Sequence, residues 1–170
     1  TSGAAVSAAE NQTAVTTVAS SDVDGGTPIY SIIGGADAAL FTIDSATGVL
    51  TFNSVPDFEA PSDNGGNNVY DVTVRVSDGN GGTDTQALAV TITNVNEAPV
   101  ITGNGSGATA GVSVAENQTA VTTVTSSDVD GRTAVYSISG GADAVRFSID
   151  AGSGVLTFNA APNYEAPTDA

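Results

Sequence analysis

The chain has 170 residues, 40% of them hydrophobic, and 19 carboxylates against three arginines give a formal net charge of −16. This charge excludes nucleic acid as a partner, because phosphate binding requires clustered cations, and it disfavours an anionic membrane surface. The absence of histidine and cysteine disfavours zinc, copper and iron sites and the usual catalytic bases and nucleophiles.

Short strands of alternating polarity are predicted along the first copy of the chain. The predicted strands cover residues 6–9, 14–19, 29–33, 40–44 and 49–52. After a polar connection over residues 57–68, aliphatic residues at alternate positions of 72–76 and 88–92 flank a glycine-rich turn, which predicts a hairpin. About seven strands in roughly 100 residues predict an all-β chain of antiparallel β-sandwich domains with immunoglobulin-like architecture. No window predicts a helix, and no apolar run is long enough for membrane insertion.

The sequence repeats itself at a fixed offset of 106 residues, which superposes Glu10 on Glu116. Between residues 10 and 37, 23 of 28 positions recur identically, so the chain is built as an array. We predict a sandwich repeat over residues 1–98, a Gly/Ser-rich linker or loop over 99–111 and a partial second repeat over 112–170. The second copy has no counterpart of residues 69–93. We therefore expect the chain to be a fragment with a truncated second copy.

A permuted arrangement is a second possibility. Because any window of 106 residues contains every strand once, residues 65–170 also include a complete set. In that arrangement, residues 72–76 pair with strands of the second copy and the amino-terminal part is left unpaired.

Six motifs follow one another in the order found in cadherin repeats. They are Glu10, Asp22-Val23-Asp24, Phe41-Thr42-Ile43-Asp44 with Thr47-Gly48, Asp57-Phe58-Glu59, Val76-Ser77-Asp78 and Asn94-Val95-Asn96-Glu97-Ala98-Pro99. The chain resembles a tandem of bacterial cadherin-like domains over the whole first copy and over the part of the second copy that it contains. The same order of motifs argues against the permuted arrangement.

The resemblance implies calcium sites between successive repeats. Carried over residue by residue, the ligands at the junction of the two copies are Glu10, Asp57, Glu59, Asn94, Asn96, Glu97, Asp128 and Asp130. The family pattern also places Asp78 with Asp22 and Asp24 at a site that faces a preceding repeat. Asn94 and Glu97 stand where cadherins usually have aspartates, so we expect weak binding, with a Kd of roughly 10⁻⁴ to 10⁻³ M.

The residues themselves support calcium but leave another explanation open. Ca²⁺ takes six to eight oxygen ligands, and carboxylates that the fold gathers repel one another unless cations neutralise them. Acidic surfaces also solvate proteins of halophilic or marine origin, and counting charges does not separate the two explanations. A calcium ion within one domain at Asp63, Asn64 and Asn67, repeated in part by Asp169, is as well supported as a plain solvated loop. For residues 78–84, a hairpin turn is the better explanation.

The first functional hypothesis is a calcium-rigidified extender segment of a large bacterial adhesin, secreted or at the cell surface. Its partners are calcium ions and the neighbouring repeats of the same chain. The alternative is an adhesion module that recognises itself or a polysaccharide in a calcium-dependent way, with Phe58, Tyr70 and Tyr164 as candidate contacts for a sugar. An enzyme is the least favoured hypothesis. Asp57 and Glu59 imitate a glycosidase dyad, but carboxylates two residues apart in a loop more often bind calcium or water.

Overall fold

The computed structural model describes residues 4–167, which contain β-strands and short 3₁₀ turns. The chain divides into two compact units, Thr1–Val95 (unit 1) and Asn96–Ala170 (unit 2). The prediction of an all-β fold with sandwich sheets is confirmed. No helix within residues 4–167 is long and apolar enough to cross a membrane.

Unit 1 contains two sheets. Its strands are β1 (Ala4–Ala9), β2 (Ala14–Thr17), β3 (Ile29–Gly34), β4 (Phe41–Ile43), β5 (Val49–Phe52), β6 (Val69–Ser77) and β7 (Thr83–Thr93). One sheet has the order β1-β7-β6-β3 and the other the order β2-β5-β4. β1 lies parallel to β7 at an edge, and the other neighbours are antiparallel. The strands predicted from alternation are therefore present, with bounds shifted by a few residues.

The core of unit 1 lies between these two sheets. Alternate residues of β6 and β7 point inward because strand side chains have a period of two; Tyr70, Val72 and Val90 are at most 1% exposed. From the other sheet, Phe41 and Phe52 stack with ring centroids 4.5 Å apart, and the edge of Tyr70 meets Phe52 at 5.1 Å. Tyr70 is thus a core residue, and its prediction as a surface contact for a sugar is wrong.

The β6–β7 hairpin pairs within unit 1. Its register places Val69 opposite Thr91, and β6 pairs on its other side with β3, where Ser77 lies opposite Ile29. The permuted arrangement, in which residues 72–76 pair with the second copy, is therefore wrong.

Unit 2 retains only part of this plan. Its strands are β8 (Val100–Ile101), β9 (Ala120–Thr123), β10 (Ser126–Ser127), β11 (Phe147–Ile149) and β12 (Val155–Phe158). The sheet β11-β12-β9 reproduces β4-β5-β2 at the repeat offset, and β8 pairs with β10. Within residues 96–167, no strand corresponds to β6 or β7. The 99–111 segment contains β8, and the domain bounds set from the sequence stay predictions.

Two buried aspartates hold the polar connection of unit 1 onto its sheet. Asp37, 5% exposed, accepts hydrogen bonds from the backbone N–H groups of Asn64 (2.7 Å) and Asp71 (2.8 Å). Asp63, 7% exposed, accepts them from Asn67 (3.0 Å) and Asn68 (2.9 Å). Asp63 is therefore buried and held by backbone donors, so this connection is not a plain solvated loop. A calcium ion at Asp63, Asn64 and Asn67 stays a prediction. Asp169 lies outside the described residues.

Asp63 is expected to make the stability of unit 1 depend on pH. Burial raises its pKa, but the backbone N–H bonds from Asn67, Asn68 and Gly65 together lower the pKa below its ordinary value. The folded state therefore binds the proton less tightly than the unfolded state. This contribution is present above the unfolded pKa, near pH 4, and is lost as the pH falls through the folded pKa.

We expect Asp63→Asn to lower the free energy of unfolding by about 2 kcal/mol at pH 7. The gap between the two proteins should narrow below about pH 4, because the wild type loses the same interaction when it is protonated. Urea titrations at pH 7, 5, 4 and 3 measure this gap. Asp71→Asn removes an exposed carboxylate and controls for net charge. A gap that stays constant down to pH 3 contradicts the prediction.

Candidate metal centre

Acidic residues gather at the two ends of the larger sheet in unit 1. Ala9 pairs with Thr93 at one end, so Glu10 and Asn94 leave the sheet side by side. Ser77 pairs with Ile29 and Thr83 at the other end, where the segments that carry Asp22 and Asp78 meet. β7 has 11 residues, so the two ends lie about 35 Å apart. We call these groups the Glu10 end (Glu10, Asp57, Glu59, Asn94) and the Asp22 end (Asp22, Asp24, Asp78).

Glu10 is the buried residue of the Glu10 end. The residue is only 2% exposed, and its carboxylate accepts backbone hydrogen bonds from Phe58 at 2.9 Å and Val95 at 2.7 Å. These two donors lie 48 and 85 residues away along the chain. One buried carboxylate therefore joins the end of β1, the 57–59 loop and the segment that leaves β7.

Glu59 completes a pair of carboxylates with Glu10. The ligand oxygens of the two residues lie within 4.8 Å of each other. Glu59 Oε1 also accepts a hydrogen bond from Asn94 Nδ2 at 2.5 Å. This bond uses the amide nitrogen of Asn94 and not its amide oxygen. Asp57 Oδ1 accepts the N–H groups of Glu59 and Ala60, both at 3.0 Å, and so shapes the turn that presents Glu59.

The Glu10 end fits a hard divalent cation. Two like charges at this separation repel by about 3 kcal/mol at an effective dielectric near 20, and a shared cation removes that cost. The donors available are carboxylate and amide oxygens, the ligands that Ca²⁺ prefers. The sequence-predicted ligands Glu10, Glu59 and Asn94 are therefore brought together in unit 1, and Asp57 lies in the turn that carries Glu59. Their metal binding stays a prediction.

The Asp22 end is built around a glycine. A Cβ placed on Gly26 would lie 2.8 Å from Asp22 Oδ2 and 3.1 Å from the Cβ of Asp78, so the backbone at Gly26 lies against both aspartates. Asp78 Oδ1 accepts the N–H groups of Asn80 (2.7 Å) and Gly82 (2.9 Å), which fixes the hairpin turn. Asp24 is exposed, and its N–H donates to Asp22 Oδ1. Gly26 was missed by sequence reasoning.

The remaining predicted ligands belong to unit 2. Asp130 Oδ2 accepts the N–H of Glu97 at 2.9 Å, and Asp128 Oδ1 accepts the N–H of Asp130 at 3.0 Å. The amide of Asn96 donates to the carbonyl of Glu97 at 2.8 Å. Glu97, Asp128 and Asp130 are thus tied together within this unit.

Unit 2 also repeats the anchoring glutamate of unit 1. Glu116 accepts the N–H of Tyr164 at 3.0 Å, as Glu10 accepts that of Phe58. Asn163 replaces Asp57 and accepts the N–H of Glu165 at 3.0 Å, so this copy keeps the turn with one charge fewer. Sequence reasoning did not select Glu116 or Asn163 as site residues, although superposing the two copies points to both.

The aromatic candidates for a sugar contact do not form a platform. Tyr70 is buried, and Phe58 is partly buried and packs against the core of unit 1. Tyr164, in unit 2, is 84% exposed. Among these three residues, one therefore offers an open ring face.

The two sheets of unit 1, with acidic residues at both ends, define the class of a β-sandwich repeat. The family model of the cadherin domain matches residues 4–94. This is more than half of the chain, and the chain belongs to the cadherin family. Cadherin domains are extracellular, bind Ca²⁺ at acidic sites between domains and are not enzymes. The predictions of a non-enzymatic, extracellular repeat are confirmed at this level.

Solved cadherin structures share the fold. Human protocadherin-24 EC1-2 is 21% identical with a TM-score of 0.60, and the match covers 95% of this chain and 76% of that one. Mouse cadherin-23 EC22-24 is 19% identical with a TM-score of 0.55, covering 96% of this chain and 53% of that one. The comparison with curated proteins finds no match.

Proposed function

We propose that the chain is a calcium-rigidified extender segment of a large extracellular bacterial adhesin. Each repeat binds calcium at its acidic ends and contacts the neighbouring repeats of the same chain there. Adhesion itself takes place in other domains. The ligands are those of the Glu10 end, the Asp22 end and, in unit 2, Asn96, Glu97, Asp128 and Asp130.

The observation that carries the proposal is the presence of an oxygen-donor group at each end of one sandwich. A terminal or isolated domain needs at most one such end, whereas an internal member of an array needs two. The near-identity of the copies and the high negative charge support the same conclusion, because repeats of equal sequence make equal junctions. Of the three candidate aromatic residues, Tyr164 alone is exposed, and this gives less support to a polysaccharide-binding module.

Calcium is expected to stabilise the chain specifically. With a Kd of roughly 10⁻⁴ to 10⁻³ M, 10 mM CaCl₂ contributes on the order of 1.5 to 3 kcal/mol per site, which corresponds to a rise in Tm of about 5 to 15 °C. Thermal melts in EDTA, in CaCl₂ and in MgCl₂ at equal ionic strength measure this rise. Magnesium should give little effect, because it demands tighter octahedral geometry and keeps its waters.

Variants at each end locate the ions. Asp22→Ala and Glu59→Ala should each reduce the calcium-dependent rise, and the double variant should reduce it further. Asp71→Asn removes one negative charge from the exposed face of β6 and should leave the rise unchanged. Equal melts in all three buffers would mean that the acidity only solvates the protein. A rise that neither variant reduces would place the ion elsewhere.

A further inference from the structure

Three asparagines of the chain, at positions 64, 80 and 104, are followed directly by glycine. In such a pair the asparagine amide is exposed to attack by the next backbone nitrogen, because glycine has no Cβ to shield that nitrogen. The attack needs a glycine N–H that can lose its proton and an amide carbon that can reach the nitrogen. The surroundings of the three pairs differ in both respects.

The first pair, Asn64-Gly65, is protected by Asp63. The backbone N–H of Gly65 bonds to the carboxylate of Asp63, which is 7% exposed. The N–H of Asn64 donates to Asp37 Oδ1 at 2.7 Å, and the N–H of Gly66 donates to the carbonyl of Asp63 at 3.1 Å. Loss of the Gly65 proton would place two negative charges side by side, and this is unfavourable. The pair therefore reacts only when this turn opens.

The third pair, Asn104-Gly105, is restrained at its amide. Asn104 Oδ1 accepts a hydrogen bond from Thr122 Oγ1 at 2.8 Å, and Thr122 lies 18 residues away along the chain. The amide carbon is therefore fixed to β9 and has to leave Thr122 before it can reach the nitrogen of Gly105.

The second pair, Asn80-Gly81, lies exposed in the turn between β6 and β7. Asp78 Oδ1 accepts the N–H groups of Asn80 at 2.7 Å and Gly82 at 2.9 Å. The N–H of Gly81, between them, has no hydrogen-bond acceptor among the residues that the structure describes. The amide of Asn80 donates one long bond, from Nδ2 to the carbonyl oxygen of Asp78 at 3.5 Å. Both reacting groups of this pair are thus accessible in the folded protein.

We propose that Asn80 is a site of spontaneous deamidation, at which its amide is replaced by a carboxylate. The nitrogen of Gly81 forms a bond to Cγ of Asn80, the Cγ–Nδ2 bond breaks, and the amide leaves as ammonia with the proton of the Gly81 N–H. Water then opens the cyclic imide. Cleavage at Cγ gives aspartate, and cleavage at the main-chain carbonyl gives isoaspartate, in which the backbone runs through the former side chain.

The product changes the Asp22 end, and the effect on calcium binding rests on the proposed function. The number of carboxylates in residues 78–84 increases from two to three. In isoaspartate, the backbone is also longer by one carbon between the two N–H groups that Asp78 Oδ1 accepts, so these two bonds cannot both keep their geometry. Calcium affinity depends on the charge of the ligands and on the rigidity of the site, and deamidation alters both.

The test incubates the folded full chain at pH 8 and follows each Asn-Gly pair by mass spectrometry of its peptides. A parallel sample in urea gives the rate of each pair without structure, and the three rates should be similar there. In the folded protein, Asn80 should react about tenfold or more faster than Asn64, because the Gly65 bond to a charged acceptor has to break first. Methylation by an isoaspartyl methyltransferase identifies the isoaspartate. Equal rates at Asn80 and Asn64 in the folded protein would overturn the proposal.

Two variants test the cause of the difference. Asp63→Asn removes the anion beside Gly65 and should bring the rate at Asn64 close to its rate in urea, while the rate at Asn80 stays unchanged. Amide protection of β6 and β7 shows whether this variant is folded. Thr122→Val, in the other unit, should accelerate Asn104 in the same way. If neither variant accelerates its pair, the hydrogen bonds do not control the reaction, and the assignment of Asn80 by its free N–H is wrong.

The effect on calcium is measured separately from the conversion. Asn80→Asp adds the charge without lengthening the backbone, and it should raise calcium affinity several-fold in thermal melts at increasing CaCl₂. Asn80→Gln keeps an amide and should behave as the wild type. If Asp22→Ala leaves the calcium response of fresh wild-type protein unchanged, the calcium site at this end fails. Deamidation at Asn80 is still decided by the mass measurement.

Discussion

Gly35→Ala is expected to unfold unit 1 under conditions in which the wild type is folded. A Cβ at this position would lie 2.3 Å from the Asp71 carbonyl oxygen and 2.5 Å from the Cα of Val72, and neither atom is the end of a flexible side chain. Relief requires β6 to move away from β3 and from the aromatic pair beneath it. We expect the free energy of unfolding to fall by about 3 to 5 kcal/mol, which lowers Tm by more than about 10 °C in a unit of this size.

Gly141→Ala is the matched control in the other copy. Both glycines have a positive φ of similar size, so both substitutions carry a similar backbone strain, on the order of 1 to 3 kcal/mol. Only Gly35 has a strand across it, so the difference between the two variants measures the crossing. Urea unfolding followed by the amide signals of β6 and β7 measures the loss in unit 1 for Gly35→Ala, and the amide signals of β11 and β12 measure the loss in unit 2 for Gly141→Ala. Equal losses in the two variants would show that backbone strain, and not contact with β6, accounts for the glycine.

The strands of unit 1 were predictable because their signal is local. Aliphatic residues at every second position, valines in β6 and Leu88, Val90 and Ile92 in β7, define both the extended conformation and the buried face. Tyr70 lies on the same period as Val72 and Val74, so its burial was available from the pattern. In the structure its hydroxyl accepts the N–H of Ser62. The burial of Asp63 was not available, because its backbone donors are fixed only when the loop closes on the sheet.

Unit 2 shows why a repeat does not guarantee a repeated structure. The residues that match β3 keep much of their sequence, yet they are not a strand, because a strand exists through its hydrogen-bonded neighbour and not through propensity alone. β9, β11 and β12 keep all of their partners within the unit and retain their register. Sequence similarity between the copies therefore predicts the sheet β11-β12-β9 correctly and strands at residues 110–115 and 135–140 incorrectly.

The candidate ligands could be chosen from the order of motifs, but their different roles could not. Sequence gives Glu10 and Glu59 equal standing as acidic residues. The structure separates them, because Glu10 is buried and bonded to two distant backbone N–H groups, whereas the side chain of Glu59 is exposed. This difference leads to an expectation that distinguishes a structural carboxylate from a ligand.

Glu10→Ala is expected to destabilise unit 1 even when calcium is absent. The substitution leaves the N–H groups of Phe58 and Val95 without their charged acceptor, at a cost of about 3 kcal/mol after allowance for the relief of repulsion with Glu59. Glu59→Ala in EDTA should change the free energy of unfolding by less than about 1 kcal/mol, since it removes that same repulsion and an exposed hydrogen bond. Urea unfolding in EDTA measures both values.

Repeating the two titrations in 10 mM CaCl₂ separates the two roles. Both variants should lose most of the increase in the free energy of unfolding that calcium gives the wild type. The difference in stability between Glu10→Ala and the wild type should therefore be larger in calcium than in EDTA. The difference between Glu59→Ala and the wild type should become measurable only in calcium. Glu116→Ala removes the equivalent bond to Tyr164 in unit 2 and should leave the β6 and β7 signals of unit 1 unchanged in both buffers. A Glu10→Ala protein as stable as wild type in EDTA would mean that the buried bonds contribute little. The carboxylate would then be held in place for the ion alone.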